Sequence, residues 1–185
     1  MNSQHKMFHL FPALYLVLLL IVMAMLSGCA TPATFEGMVP ESYAITQKHQ
    51  ETVRVVVSGG QETSAMWKTQ ISDEAFLQAL IEAIGKSQAF SKVVQGAEAQ
   101  YLLSVVLISI EQPSIGTSLT VNLETGWTLS RQDTGKIMWR EAVTSEHTAR
   151  VGDAFTFASR LKLATEMAAK KNIAEGLAKI SKLKL

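Results

Sequence analysis

The chain has 185 residues, with 17 Lys and Arg against 16 Asp and Glu and a formal net charge of +1, so it lacks the basic excess on which nucleic-acid binding depends. Its one cysteine excludes an intrachain disulfide, and the fold must therefore rest on a hydrophobic core. The length suits a single domain large enough to have one.

The first residues are polar and carry Lys6, flanked by His5 and His9, and an apolar run broken only by Pro12 follows from Leu10 to Leu26. A charged start followed by an apolar run is the layout of a secretory signal. A transmembrane helix needs roughly 20 apolar residues, and this run stands at the lower edge of that range. It ends on Leu26-Ser27-Gly28-Cys29, which is similar to the lipobox of bacterial lipoproteins. That resemblance implies cleavage after Gly28, a diacylglycerol on the Cys29 thiol and acylation of the new amino group. The chemistry fits the residues: Ser27 and Gly28 let a protease approach the backbone, and a thiol is nucleophilic enough to take the lipid. Several acyl chains anchor far more firmly than one, so the mature chain is expected to be held on a membrane without spanning it. Loss of Lys6 leaves acidic and basic residues in equal number. Ala30 and Thr31 lack the aspartate that retains lipoproteins in the inner membrane of enteric-type bacteria, and the same resemblance therefore implies the periplasmic leaflet of the outer membrane.

Three regions are expected: a signal peptide at 1–28, the lipidated Cys29 with a flexible tether to residue 50, and one periplasmic domain at 51–185. The tether reading rests on "ATPATFEGMVPESYAITQKHQ", which holds Pro32 and Pro40 and no sustained period. Extended, some 20 residues could hold the domain up to roughly 60 Å from the bilayer. The alternative is that a part of it, Phe35 to Tyr43, packs on the domain.

Within the domain, Thr52 to Ser58 is dense in β-branched residues and reads as a strand, broken by Gly59-Gly60. The segment with Met66 and Trp67 reads as a loop. Ser72 suits an N-cap, with Asp73 and Glu74 in the first turn, and Phe76, Leu80, Ala83 and Ile84 share one face, which predicts a helix over 73–87. A short strand, "FSKVV", starts at Phe90. Tyr101 to Ile110 is apolar on both alternating faces, as in a central strand covered on both sides. From Leu119 onward Leu119, Val121, Leu123, Trp127 and Leu129 alternate with polar residues, the pattern of a half-buried antiparallel strand. Asp133 and Gly135 supply a turn, and "IMWREAVTSEHTAR" returns as the hairpin partner. A long helix over about 154–182 follows, with Asp153 as its cap. The order β-α-β-β-β-β-α predicts an α+β domain: a mostly antiparallel sheet of four to five strands with two helices on one face.

Chemical motifs are sparse. Gly59-Gly60 follows a strand, but neither glycine-rich phosphate fingerprint is present and the next helix starts too late to cradle a phosphate. Thr134-Gly135-Lys136 reads as a hairpin turn. His49 and His147 are too few and too far apart in sequence for a metal site of three or four ligands. No G-x-S-x-G elbow marks a nucleophile, and Glu124, Glu141 and Glu146 fall on strand positions where carboxylates are ordinarily solvated. No catalytic residue, cofactor or metal is expected. The last helix carries Arg160, Lys162, Lys170, Lys171, Lys179, Lys182 and Lys184 against Glu166 and Glu175, a face that is either solvated or drawn to an anionic membrane. The central strand poses a sharper question, since two helices cover one sheet face only. Leu102, Val106, Ile108 and Ile110, or the opposite set, would then need the loop at 60–71, the tether or a partner as cover.

From "GGQETSAMWKTQISDEAFLQALIEAI" through "GWTLSRQDTGKIMWRE" to "AAKKNIAEGLAKISKL" the chain resembles uncharacterised proteobacterial envelope lipoproteins. More distantly, through Ala99-Gln100-Tyr101-Leu102, Trp127, Leu129 and Thr134-Gly135, it is similar to lipoprotein activators of penicillin-binding proteins, to the curli-secretion lipoprotein and to auxiliary lipoproteins of lipid-transporting ABC systems. That similarity implies action by contact and not by catalysis. The expectation is a lipid-anchored, non-enzymatic adaptor for another envelope protein, with the sheet face (Thr120, Glu124) or the Trp67 loop as the contact. A carrier of lipid or polysaccharide is the alternative, and a homo-oligomeric assembly a third.

Overall fold

The computed structural model describes residues 31–61 and 68–185. Five strands form one sheet: β1 (Thr52–Ser58), β2 (Lys92–Val93), β3 (Tyr101–Glu111), β4 (Leu119–Arg131) and β5 (Ile137–Ala149). Their spatial order is β2-β1-β3-β4-β5. The three longest strands make an antiparallel meander, whereas β1 runs parallel to both β2 and β3. Parallel neighbours need a crossover: helix α2 (Asp73–Ser87) supplies it between β1 and β2, and the chain leaving β2 then passes to the other side of β1 to form β3. The domain is thus α+β with a mixed sheet. Helix α3 (Phe157–Ile180) packs on β4 and β5, and a short α1 (Phe35–Met38) lies against both longer helices.

Helix α2 begins where its sequence says it should. Ser72 caps it by accepting a hydrogen bond from Ala75 N (3.2 Å), and Phe76, Ala79, Leu80, Ala83 and Ile84 turn into the core. The last helix differs at its start. Thr156 and Ser159 form the cap, each side chain accepting from the other's backbone N–H at 3.0 Å, so the helix starts at Phe157. Asp153 accepts instead from Arg150 N at 2.6 Å within the preceding turn. The strand expected from Phe90 is only Lys92–Val93, because Phe90 is drawn into the core at 2 % exposure.

Between sheet and helices the described residues form one apolar core, with Val53 and Val55 from β1, Leu103 and Val105 from β3, the alternate positions Leu119 to Leu129 of β4, and Leu161, Ile173 and Leu177 of α3. Trp127 is its largest fully buried side chain. Its Nε1 donates to Thr125 Oγ1 (2.7 Å) and Asn172 Oδ1 (3.3 Å), and Asn172 Nδ2 donates to Val143 O (2.9 Å). Every polar atom of this knot has a partner, as a low-dielectric interior demands.

The stretch expected to be a flexible tether belongs to the domain from Ala33 onward. Met38 is fully buried, and Ala33, Val39 and His49 are each 5 % exposed. The segment runs along α3: Thr34 N and Oγ1 donate to Glu166 Oε1 (2.8 and 2.9 Å), Thr46 N donates to Ser181 Oγ (3.0 Å), and the His49 ring bonds Ile180 O (3.0 Å). An irregular strap laid in a groove buries side chains at irregular spacing, which is why no period marks it.

Candidate functional site

Among the described residues helices cover one face of the sheet and leave the other open, with Gln61, Lys68 and Gln70 lining a recess beside Ile108. On that open face β3 presents Leu102, Val106 and Ile108, the last two 41 % and 54 % exposed. Val106 stands beside Gly126 of β4, which stands beside Ala142 of β5. A Cβ on Gly126 would lie 3.4 Å from Ile108 Cδ1, so the missing side chain there leaves room for the isoleucine to lie flat on the sheet.

A β-bulge shapes this patch. Leu107 pairs with Thr125 but Ser109 pairs with Glu124, leaving Ile108 as an extra residue. One inserted residue shifts the inward and outward sets of a strand by one. Ile110, which strict alternation groups with Val106 and Ile108, therefore turns back and packs against the core.

Beyond the bulge the face becomes acidic. A shallow recess of about 430 Å³ is lined by Ser109, Glu111, Asn122, Glu124, Thr144 and Glu146 among others, and none of its three carboxylates forms an ion pair among the described residues. At the opposite end Arg54 stands beside Leu102 and Arg140 beside Thr128. The open face thus reads as carboxylates, then an apolar centre, then arginines.

Of the residues singled out from sequence, Thr120 and Glu124 both lie on this face. The Thr120 hydroxyl is engaged with that of Thr148 across the strand pair (2.8 Å), which leaves Glu124 the freer group. Trp67, Gly28 and Cys29 lie outside the described residues. The arginines, Gly126 and Ala142 carry no motif. They become visible only when the alternation of β4 and β5 is continued across the hairpin to ask which outward positions are small or charged.

The remaining chemistry-bearing residues serve the fold. Gly60 N donates to Asp73 Oδ1 (2.7 Å), and Gly59 has φ +88° with no room for a side chain against Leu107 O, so the Gly59-Gly60 turn is spent on packing. The Thr134-Gly135-Lys136 segment closes the β4-β5 hairpin, with Gly135 at φ +67° and an Arg131–Asp133 ion pair beside it (3.1 Å). The hydrogen bond from Arg131 holds the Asp133 carboxyl below its ordinary range. Glu141 is on the helix side, where Lys179 holds it low in the same way. His49 faces Phe90, ring centroids 5.4 Å apart, and His147 lies on β5 opposite Val121. The basic face of α3 is largely engaged: Lys162 with Glu166, Lys170 with Glu41, Lys179 with Glu141 and Glu175, and Lys171 Nζ with Glu146 O.

No family model matches the chain, nor does any curated protein sequence. Solved structures share its fold. A Xanthomonas campestris protein described as DUF330 superposes with a TM-score of 0.60 at 13 % identity, covering 80 % of this chain and 91 % of that one. A hypothetical protein of Chlamydia trachomatis gives 0.55 at 8 % identity, covering 71 % and 96 %. A minor lipoprotein of Acinetobacter baumannii gives 0.50 at 9 % identity, covering 72 % and 92 %.

Proposed function

We propose that this chain is a lipid-anchored envelope lipoprotein, acylated on Cys29 after cleavage behind Gly28, that works without catalysis as an adaptor for another envelope protein. The observation that carries the adaptor reading is the open sheet face with Val106 and Ile108 solvated at its centre. Apolar side chains grouped on a regular, rigid surface are what a protein partner desolvates, and the flanking charges set its orientation. The partner that fits presents an apolar ridge with basic groups toward Glu111, Glu124 and Glu146 and acidic groups toward Arg54 and Arg140. The anchor reading is supported by Leu26-Ser27-Gly28-Cys29 and by the fold shared with the Acinetobacter lipoprotein. Ala30 and Thr31 favour the periplasmic leaflet of the outer membrane.

Photo-crosslinking in living cells with probes at Ile108, Thr120 and Glu124 tests the adaptor role. A discrete protein adduct from this face, absent from a probe at Lys136, is the expected result. Adducts with lipid or glycan alone, or none, would overturn it and favour the carrier. Cys29→Ala tests the anchor separately: lipid labelling and cleavage behind Gly28 should both disappear, and unchanged processing would refute it.

A further inference from the structure

The strap is held from Ala33 onward. Ala33 N donates to Gln70 O (3.3 Å) and Thr34 N to Glu166 (2.8 Å). From there the strap runs in the same direction as α3, passing Lys170 at Glu41 (3.1 Å) and reaching Ser181 at Thr46 (3.0 Å). Its first residues therefore lie nearer than its later ones to the N-terminal end of α3.

That end carries the most solvated apolar side chains described: Ile115 at 85 % exposure, Val151 at 66 % and Phe155 at 104 %. The topology groups them. Leu119 pairs with Ala149, so the loop before β4 and the loop after β5 leave the sheet side by side, and Phe155 stands just ahead of α3. Gln112, at the start of the Ile115 loop, ties this end to the chain's entry, because its Nε2 donates to Thr69 O and to Thr165 Oγ1 (3.1 Å). Those are the immediate neighbours of the Gln70 and Glu166 that hold Ala33 and Thr34. Single exposed apolar residues need no explanation, but three on adjoining loop tips, one of them a wholly solvated phenyl ring, do.

Chain length supplies the occupant. Cys29 precedes Thr34 by so few residues that, fully extended, they reach at most about 17 Å from the Thr34–Glu166 contact. From the same contact α3 rises about 13 Å to its first residue, Phe157. The extended reach is thus long enough for a lipid attachment at Cys29 to lie level with the apolar loop tips. We propose that the end bearing Ile115, Val151 and Phe155 seats in the headgroup–acyl boundary of the bilayer that holds Cys29. Apolar loop tips enter that zone as the apolar face of an interfacial helix does. This rests on the lipid-anchor reading above. Seated so, α3 rises away from the bilayer, the hairpin turn at Gly135 points into the aqueous space, and the open sheet face stands sideways to the membrane where a neighbouring protein can reach it.

The test uses the full chain, extracted from membranes in detergent and reconstituted into phosphatidylethanolamine–phosphatidylglycerol vesicles. A fluorescent amino acid replaces Phe155 in one sample and Lys136 in another. Doxyl-labelled lipid is expected to quench the probe at 155 several-fold more than the probe at 136, with aqueous iodide showing the reverse order. Equal quenching at the two positions would overturn the proposal. So would a probe at 155 shielded from both quenchers, which would place it against protein. The mass of the N-terminal peptide from the same sample reports acylation of Cys29. An unacylated Cys29 refutes the anchor reading alone, because the depth of residue 155 is scored by its own quencher.

Discussion

The indole of Trp127 lies against the backbone of Gly176, so closely that a Cβ on Gly176 would stand 2.4 Å from Trp127 Cζ2. Because the ring is also held by Thr125 and Asn172, it cannot retreat. Gly176→Ala is expected to destabilise the domain by about 1–3 kcal/mol, the usual cost of overpacking a closed core. Gly85 of α2 is the contrasting case, since it is exposed and nothing lies within 4 Å of the added atom. Gly85→Ala should stabilise by about 0.5–1 kcal/mol through helix propensity alone. Urea unfolding midpoints of the two variants, read side by side, check both signs.

Glu166 holds the strap at its first contact. Glu166→Ala would leave the Thr34 N–H without its acceptor, at a cost of about 1–3 kcal/mol. Exchange protection should fall first over 33–38, with the sheet little affected, and amide hydrogen exchange resolved by peptide would show it. Equal loss of protection in β3 and β4 would mean that the strap is integral to the core and not a peripheral clasp.

Burial holds the His147 imidazole below its ordinary 6.5, with the charge of Lys171 adding to the effect and Asp153 opposing it. The unfolded chain therefore takes up this proton before the folded one does as pH falls. The resulting stability is complete above the unfolded value and is lost as pH drops through the folded value. The urea midpoint is expected to decline between about pH 7 and pH 5, and His147→Gln should flatten that decline. An unchanged slope in the variant would assign it to other groups.

Ile108→Asp places a charge at the centre of the open face, where the side chain is more than half exposed. Folding stability should change by no more than about 0.5 kcal/mol. Capture of the partner should weaken by about tenfold or more, as for a truncated central anchor. A melting curve and the yield of the Glu124 crosslink, measured on one preparation, separate the two effects.

Much of the domain was legible in its sequence because local physics set it. The apolar face and Ser72 cap of α2, and the alternation of β4, gave those elements directly. What escaped was set by tertiary contacts. Nothing local announces that β1 lies parallel to β3, since that pairing arises only when the chain leaving β2 passes to the other side of β1. The strap lacks a period, so the burial of Met38 and His49 could not be read from spacing. Asp153 is as good a cap residue as Thr156, and only the turn closed by Arg150 decides between them. The bulge at Ile108 left no mark on an apolar strand, yet it decides which isoleucine faces outward. For the candidate site, Thr120 and Glu124 were found because alternation places them, whereas Arg54, Arg140, Gly126 and Ala142 needed the strand order.

The clasp between Thr34 and Glu166 joins positions 132 residues apart, and the later contacts of the strap reach to Ile180 and Ser181. Closing so long a loop is entropically expensive until its final partner exists. A chain that emerges amino end first from a ribosome or an export pore would thus show its opening segment long before the seat for it has been made. Completion of the domain waits on its last residues, and a premature stop just before Ile180 would leave Thr46 and His49 unfastened even with every strand and the Thr34–Glu166 clasp intact.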